Sequence, residues 1–238
     1  MSINQPPRVS NIALLIDADN AAPSSLDAAL TILGDLGTVN IRRAYGNWSK
    51  PGLKGWAALA VRNAIEPQQQ FDITKGKNAT DMKMTIDAMD LLYGGLVDGF
   101  GIMSSDSDFM PIAMRIRQNG LPVYGFGSSK TPEGFREACT RFIDLTTLTM
   151  DEEAEELDTQ PKPVVDAELI KLLGEAWKGS KRDEHGFASL SELGQRVANR
   201  SSFDARSYGF TRLSDLIESL PNFVIEKRNG GAFVKRVR

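Results

Sequence analysis

Short apolar segments alternate with longer amphipathic segments over residues 11–145, and this alternation restricts the fold more than any other feature of the sequence. The first segment, residues 11–16, is a continuous apolar run typical of a strand buried on both faces. Alternation of strands and helices predicts right-handed βαβ units, and hence an α/β domain with a mostly parallel sheet covered by helices on both faces. The predicted strands are residues 11–16, 39–45, 71–73, 100–103, 121–125 and 142–145, and the predicted helices are residues 24–33, 53–64, 81–92, 109–118 and 132–138.

An acidic, proline-containing stretch separates this region from the rest of the chain. Residues 149–163 carry six acidic side chains and one basic side chain, and Pro161 and Pro163 prevent a helix from continuing through them. We interpret this stretch as a linker between a domain at residues 1–148 and a smaller domain at residues 164–238. These two domains have net charges of −1 and +3, so the linker accounts for the acidity of the whole chain.

The chain has one histidine and one cysteine, His185 and Cys139. A zinc site made of imidazoles and thiolates cannot be built from these two residues in one chain. His185 lies in a polar turn, which disfavours a Ser-His-Asp triad. A single cysteine excludes an internal disulfide and indicates a reducing compartment, and no segment has the roughly 18 apolar residues of a membrane helix. We therefore expect a cytoplasmic protein, not bound to membranes, whose chemistry relies on carboxylates, hydroxyls or lysines.

Aspartates follow two of the predicted strands and begin one of the predicted helices. Asp17 ends the first strand, Asp106 and Asp108 follow the fourth strand, and Asp81 begins a helix. Because the carboxyl ends of parallel strands lie at one edge of a sheet, we expect these four side chains to meet there. Asp81 or Asp108 alone would usually serve as a helix cap, whereas Asp17 is drawn to the edge of the core by its apolar strand.

Carboxylates gathered at one edge require a counter-charge. Two of them about 4 Å apart repel by roughly 4 kcal/mol at an effective dielectric constant near 20. Oxygen ligands without imidazole or thiolate favour Mg²⁺ or Mn²⁺, and such an ion can activate water for phosphodiester hydrolysis, alone or as one of two. Asp87 lies about 120° round the predicted helix from Asp81, and Asp19 alternates away from Asp17. We therefore interpret Asp87 as a residue that either supports the metal ligands or stabilises the fold, and we leave Asp19 unassigned.

These segments resemble the successive motifs of NYN domains, a branch of the PIN-like nuclease superfamily. The matching segments are Leu15–Asn20, Gly76–Asp81 with Ile86–Asp90, Ser104–Phe109, and Val123–Gly127 with Thr131 and Pro132. The resemblance covers residues 9–148 and implies a three-layer α/β/α PIN-like fold with metal-dependent ribonuclease activity. It implies that Asp17, Asp81, Asp106 and Asp108 form the catalytic, metal-binding set and that Asn20 and Ser104 flank it. Ser105 stands where many relatives have glycine.

The C-terminal region resembles the OST-HTH, or LOTUS, domain, a winged-helix-like module whose relatives bind RNA or dock onto helicases. The pattern predicts helices at residues 166–178 and 190–198, and two strands around Asn229 and Gly230, a strong hairpin signal. Basic residues flank the turn and end the second strand, and such a wing can contact phosphates. They are Lys227, Arg228, Lys235, Arg236 and Arg238.

Other residues of the first domain are candidates for holding a substrate. Lys77 lies in a glycine-containing loop four residues before Asp81 and is placed to hold a phosphate. Arg43 is another substrate-binding candidate, because phosphates need cations beside the metal. Trp48, which basic residues that include Arg43 surround, is a candidate for stacking on an unpaired base, although packing in the core is the more common role of tryptophan.

Together these features favour a cytoplasmic endoribonuclease that cleaves single-stranded RNA with Mg²⁺ or Mn²⁺ and uses its LOTUS domain to hold RNA or a protein partner. An RNA-binding or adaptor protein with a metal-binding acidic pocket and little turnover remains the alternative. A haloacid-dehalogenase-type phosphohydrolase is disfavoured because Ala21 stands where that pattern has a hydroxyl or β-branched residue. A toprim assignment is disfavoured because the upstream glutamate motif is missing.

Overall fold

The computed structural model describes residues 10–71, 78–146, 167–228 and 231–237. The chain divides into two compact units between Thr140 and Arg141. No helix in these described ranges is long and apolar enough to cross a membrane.

A six-stranded sheet with the order β3-β2-β1-β4-β5-β6 forms the framework of the α/β fold. Its central strand, β1, pairs in parallel with β2 on one side and with β4 on the other. Chain order therefore reverses between β1 and β4, the place where α/β sheets bind their ligands. The strands are β1 (Asn11–Asp17), β2 (Thr38–Gly46), β3 (Glu66–Gln69), β4 (Gly99–Met103), β5 (Val123–Gly127) and β6 (Arg141–Asp144).

Helices connect these strands, and three of them are preceded by a short 3-10 turn. The turns, Pro23–Ser25, Pro51–Leu53 and Ser107–Phe109, lead into α1, α2 and α4. The helices are α1 (Leu26–Gly34), α2 (Lys54–Arg62), α3 (Ala79–Gly94), α4 (Met110–Gln118) and α5 (Glu133–Ala138). This arrangement confirms the predicted α/β fold with a mostly parallel sheet.

The core of the first unit lies around β1. All side chains from Ile12 to Ile16 are buried, as the apolar run predicts. On the neighbouring strand β4, a Cβ added to Gly101 would lie 2.9 Å from Leu33 Cδ1 and 3.1 Å from Leu14 Cδ1. A glycine at this point therefore lets α1 pack closely on the sheet, which fixes β1 and β4 and the residues that follow them.

Three local predictions are wrong. The third strand is Glu66–Gln69 and not residues 71–73, of which Phe71 is outside any strand and exposed, while the other two lie outside the described residues. The alternation of Phe71, Asp72 and Ile73 was misleading because β3 is an edge strand that pairs with β2, and edge strands tolerate polar residues and proline. The fifth strand begins at Val123, two residues later than predicted. Asn78 occupies the N-cap position of α3, so this helix begins at Ala79, two residues before the predicted start.

The second unit has its own core and a three-stranded antiparallel sheet in the order β7-β9-β8. Its elements are α6 (Ala167–Gly179), β7 (Ala188–Ser189), α7 (Leu190–Ala198), α8 (Leu213–Ser219), β8 (Phe223–Arg228) and β9 (Gly231–Arg236). The predicted helices and the predicted hairpin are present, and the turn residues Asn229 and Gly230 lie outside the described residues. The sequence pattern did not reveal β7, which is only two residues long.

Candidate metal centre

Asp17 is the last residue of β1 and is fully buried. Its Oδ2 atom accepts hydrogen bonds from Asn20 Nδ2 at 2.9 Å and from Ser104 Oγ at 2.7 Å. Its Oδ1 atom is also buried, but it has no hydrogen-bond partner among the residues that the structure describes. Because an unpaired buried carboxylate oxygen is costly, this atom is poised for a ligand that the protein itself does not provide.

Asp106 and Asp108 lie in the turn that follows β4. The hydroxyl of Ser104 accepts a hydrogen bond from the Asp106 N–H at 3.1 Å, and Asp106 Oδ1 in turn accepts one from the Asp108 N–H at 2.9 Å. Asn78, the N-cap residue of α3, donates its side-chain amide to Asp108 Oδ2. This network fixes the turn against the start of α3, which carries Asp81.

Asp81, Asp106 and Asp108 form an acidic cluster in which each residue offers one oxygen atom within 4.8 Å of the others. Burial, followed by the charges of Asp17, Asp106 and Asp108, raises the pKa of Asp81 to about 6. Burial also raises the pKa of Asp17, although the hydrogen bonds from Ser104 and Asn20 partly oppose this effect. Asp17 is not one of the three clustered residues, but Ser104 connects the two, because its hydroxyl donates to Asp17 Oδ2 and accepts the backbone N–H of Asp106.

A hard divalent cation suits these residues. The available donors are carboxylate oxygens, the ligand type that Mg²⁺ and Mn²⁺ prefer. Two observations support the fit: the acidic cluster is compact, and Asp17 Oδ1 is buried without a partner in the described part of the chain. A cation here would offset the repulsion that raises the pKa of Asp81.

Asp19 lies at the same edge of the sheet and contacts two other segments of the chain. Its Oδ2 atom accepts a hydrogen bond from Thr80 Oγ1 at 3.1 Å, and its Oδ1 atom lies 3.3 Å from Lys50 Nζ. Asp19 therefore ties the segment after β1 both to the first turn of α3 and to the loop after β2.

Asp87 is a structural residue, as its angle round the helix indicated. It accepts hydrogen bonds from Tyr45 Oη at 3.0 Å and Lys83 Nζ at 2.7 Å, and Arg43 Nη1 lies 3.5 Å from it. Burial and the charge of Asp87 raise the pKa of the Tyr45 phenol. Arg43, a predicted substrate-binding residue, also pairs with Glu66 at 3.1 Å, so this guanidinium joins β2 to β3 and α3.

The other predicted substrate-binding residues differ in their burial and in the residues that they contact. Trp48 is partly buried, and its indole N–H donates to the Gln68 carbonyl at 3.0 Å. Asn20 and Ser104 contact Asp17 directly. Lys77 lies outside the described residues. Asn78 was not singled out from the sequence, although an asparagine immediately before a helix that carries an acid is a recognisable signal.

The comparisons with known proteins agree with this geometry. The family model described as "NYN domain" matches residues 11–148, more than half of the chain. The chain belongs to the NYN domain family. This confirms the predicted assignment, and the sheet described above is consistent with the PIN-like fold of that family. A second family model, described as "OST-HTH/LOTUS domain", matches residues 161–234, which confirms the predicted order of the two modules.

Individual relatives of this NYN-domain chain are distant. An uncharacterized protein of Methanocaldococcus jannaschii is 26% identical over 137 residues, a match that covers 56% of this chain and 52% of the relative. The chain thus spans about half the length of the curated relative that it matches. A crystal structure of a protein of unknown function from Vibrio parahaemolyticus is 18% identical, with a TM-score of 0.46, over 59% of this chain and 95% of the other. At a TM-score below 0.5, this similarity does not bear on function.

The basic hairpin residues that the structure describes make contacts within their own unit, whereas Arg238 lies outside the described residues. Arg228 pairs with Asp183 and Glu226, and its guanidinium lies over the rings of Phe187 and Phe233. Hydrogen bonds from Arg228 lower the pKa of Asp183 to about 2. Three other basic residues of the hairpin have contacts of their own: Lys235 lies over the Phe187 ring, Arg236 packs beside Gly174, and Lys227 lies 3.6 Å from Glu218.

Proposed function

We propose that this protein is a metal-dependent endoribonuclease that hydrolyses single-stranded RNA with Mg²⁺ or Mn²⁺. The observation that carries the proposal is the cluster of Asp81, Asp106 and Asp108. The buried Oδ1 atom of Asp17, which has no hydrogen-bond partner in the described part of the chain, supports it. Membership in the NYN family supports a nuclease-type activity, and the LOTUS match supports a role connected with RNA.

The four aspartates would hold the cation through their carboxylate oxygens. Once bound, the cation would supply positive charge to the phosphoryl oxygens and lower the pKa of a water molecule. Asn20 and Ser104 both donate to Oδ2 of Asp17, which leaves Oδ1 directed to the ligand. Supporting hydrogen bonds of this kind fix the orientation of metal-binding carboxylates.

Contacts in the turn after β4 also fix the positions of metal-binding carboxylates. Asp106 accepts the backbone N–H of Asp108, and the side-chain amide of Asn78 donates to the Asp108 carboxylate. These contacts fix two carboxylates before any ligand arrives, so little ordering is left to occur when RNA binds. Asp81 exchanges a proton near pH 6 in the protein without metal, and a bound cation would replace that proton.

The second unit would contribute RNA or partner binding. Because Arg228 and Lys235 are engaged with acids and aromatic rings of the same unit, the hairpin contributes less free positive charge than its sequence suggests. Removing residues 164–238 is therefore expected to weaken RNA binding without abolishing cleavage. Unchanged binding would favour docking of a protein partner.

Cleavage of a mixed single-stranded RNA by the purified full-length chain tests the proposal. We expect internal cleavage in Mn²⁺ or Mg²⁺, no cleavage in EDTA, and cleavage slowed by roughly 10²–10³-fold in the Asp106→Asn variant. Asp90→Asn is the matched control, since Asp90 is an exposed residue of α3 outside the acidic cluster. Cleavage in EDTA, or full activity of Asp106→Asn, would contradict the proposal. A metal-dependent rise in melting temperature without cleavage would favour the adaptor alternative.

A further inference from the structure

Lys50 brings a positive charge to the edge of the sheet that carries the aspartates. It follows β2, whose carboxyl end lies beside that of β1 because the two strands pair in parallel. Its Nζ atom lies 3.3 Å from Asp19 Oδ1, and its side chain is 44% exposed. The backbone of Lys50 donates to the Asn47 carbonyl at 2.9 Å and is followed by Pro51, which restricts its conformation. The ammonium group is therefore presented to solvent from a defined loop.

Asp19 connects Lys50 to the metal centre. Its second carboxylate oxygen accepts the hydroxyl of Thr80, which is buried in the first turn of α3 directly before Asp81. The charge of Asp19 also contributes to the raised pKa values of Asp17 and Asp81, so it lies within electrostatic range of both. Lys50 thus lies beside the metal centre, on its β2 side, and outside the acidic cluster.

The ion pair between Lys50 and Asp19 is weak enough to be exchanged. Exposed pairs of this kind contribute about 0–1 kcal/mol, and lysine is a point charge on a flexible stem that binds phosphate without a fixed geometry. A phosphate can therefore replace Asp19 at small cost. Arg43, which pairs with Glu66 and Asp87, is less exposed: 28% of its side chain is accessible, against 44% for Lys50.

The site also needs a cation besides the metal. With one divalent ion bound, Asp17 and the three clustered aspartates would still leave an excess of negative charge, which would repel the backbone of a polyanion on its approach. We infer that Lys50 binds an RNA backbone phosphate next to the one that is cleaved, and that Asp19 holds the lysine when RNA is absent. Naming RNA as the ligand rests on the proposed function.

The salt dependence of binding tests this inference. The probe is a fluorescein-labelled single-stranded RNA of mixed sequence, and full-length proteins carrying Asp106→Asn prevent its cleavage during titration in Mg²⁺. Lys50→Gln is compared with Lys54→Gln, which removes the same charge from an exposed residue at the start of α2. Loss of one phosphate contact should reduce the slope of log K against log salt by about 0.7, or about fivefold in affinity at 0.1 M salt relative to 1 M.

Lys54→Gln should leave this slope unchanged. In the background that retains Asp106, Lys50→Gln should raise KM about fivefold while changing kcat less than about twofold, because the contact is equal in the ground and transition states. Equal salt slopes for the two lysine variants would overturn the inference, whether or not the protein cleaves RNA. If the protein cleaves nothing but the slopes differ, the proposed ribonuclease activity fails and the phosphate contact stands.

A double-mutant cycle tests the exchange between Asp19 and RNA. Asp19→Asn removes the competing carboxylate, so it should increase RNA affinity more in a protein with Lys50 than in one with Lys50→Gln. An equal gain in both backgrounds would show that Asp19 acts only through its own charge, and it would overturn the role assigned to Asp19.

Discussion

The acidic edge of the first unit and the basic hairpin of the second unit differ in whether their charges are paired with opposite charges of the protein. In the hairpin, Arg228 is matched by Asp183 and Glu226 and covered by aromatic rings. At the acidic edge, Asp81 is surrounded by other carboxylates, and burial and these neighbours raise its pKa. A charge that the protein neutralises by itself stabilises the fold, whereas charges of one sign gathered together indicate a ligand from outside.

The largest expected effect comes from breaking the acidic cluster. Asp106→Asn removes one ligand charge and should lower the rate of RNA cleavage by roughly 10²–10³-fold, since a metal contributes several kcal/mol to stabilising the transition state. Gel-based cleavage rates at saturating Mn²⁺ measure this effect, with Asp90→Asn as the control. An equal loss of activity in both variants would contradict a specific role of the acidic cluster in cleavage.

A smaller effect is expected from the side chains that orient Asp17. Asn20→Ala removes one of two hydrogen bonds to Asp17 Oδ2 and should weaken Mn²⁺ binding by roughly 10-fold to 100-fold, the usual cost of losing a supporting contact of a metal ligand. Titration calorimetry with Mn²⁺ measures the affinity. Unchanged affinity would mean that Ser104 alone fixes the carboxylate.

The pH dependence of stability sharpens the contrast between the two regions. Since the folded state raises the pKa of Asp81 from 3.8 to about 6, it binds this proton more tightly than the unfolded state does. The contribution of Asp81 is therefore fully favourable below pH 4 and is lost as the pH rises through about 6. Thermal unfolding in EDTA between pH 4 and 7 should show this loss.

Asp81→Asn should flatten that part of the pH profile, and saturating Mn²⁺ should offset the loss in the unmodified protein. Because Asp81 is partly exposed, solvent screening reduces the size of the effect. A profile that is identical in the variant would contradict the electrostatic description of the cluster.

The smallest expected effect on activity comes from the hairpin. Arg228→Gln removes the partner of two acids and the cation over two rings, so it should lower the melting temperature of the second unit by a few degrees. The rate of RNA cleavage should remain within about twofold, because this arginine stabilises its own unit. Circular dichroism and cleavage assays measure the two effects, and Lys227→Gln, at an exposed lysine, is the control. A large loss of cleavage with an unchanged melting temperature would contradict the claim that Arg228 only stabilises its own unit.

The sequence predicted the elements whose patterns are strong. The apolar run before Asp17 identified β1, and the position of an aspartate directly after it identified an acid at the sheet edge. The helix that begins near Asp81 was also predicted, because a long amphipathic pattern can be recognised from the sequence without knowing the tertiary fold. The polar edge strand β3 was missed, since Glu66–Gln69 contains no apolar residue and its pairing with β2 is a long-range contact.

Contacts between distant residues limited the prediction of the site. Arg43 and Asp87 are 44 positions apart, and nothing local indicates that they pair across β2 and α3. For the same reason Ser104 was predicted to flank the site, but its contact with Asp17, 87 positions away, emerged only from the fold. The pair of Asp19 with Thr80, 61 positions apart, is a third example.

Direct binding of Mn²⁺ to the full-length chain tests the central claim, and electron paramagnetic resonance can count the bound ion. We predict saturable binding of one or two ions per chain, retained in Asp90→Asn and lost in Asp106→Asn. Absence of binding at millimolar Mn²⁺, or equal binding by both variants, would contradict the assignment of these aspartates to a metal centre.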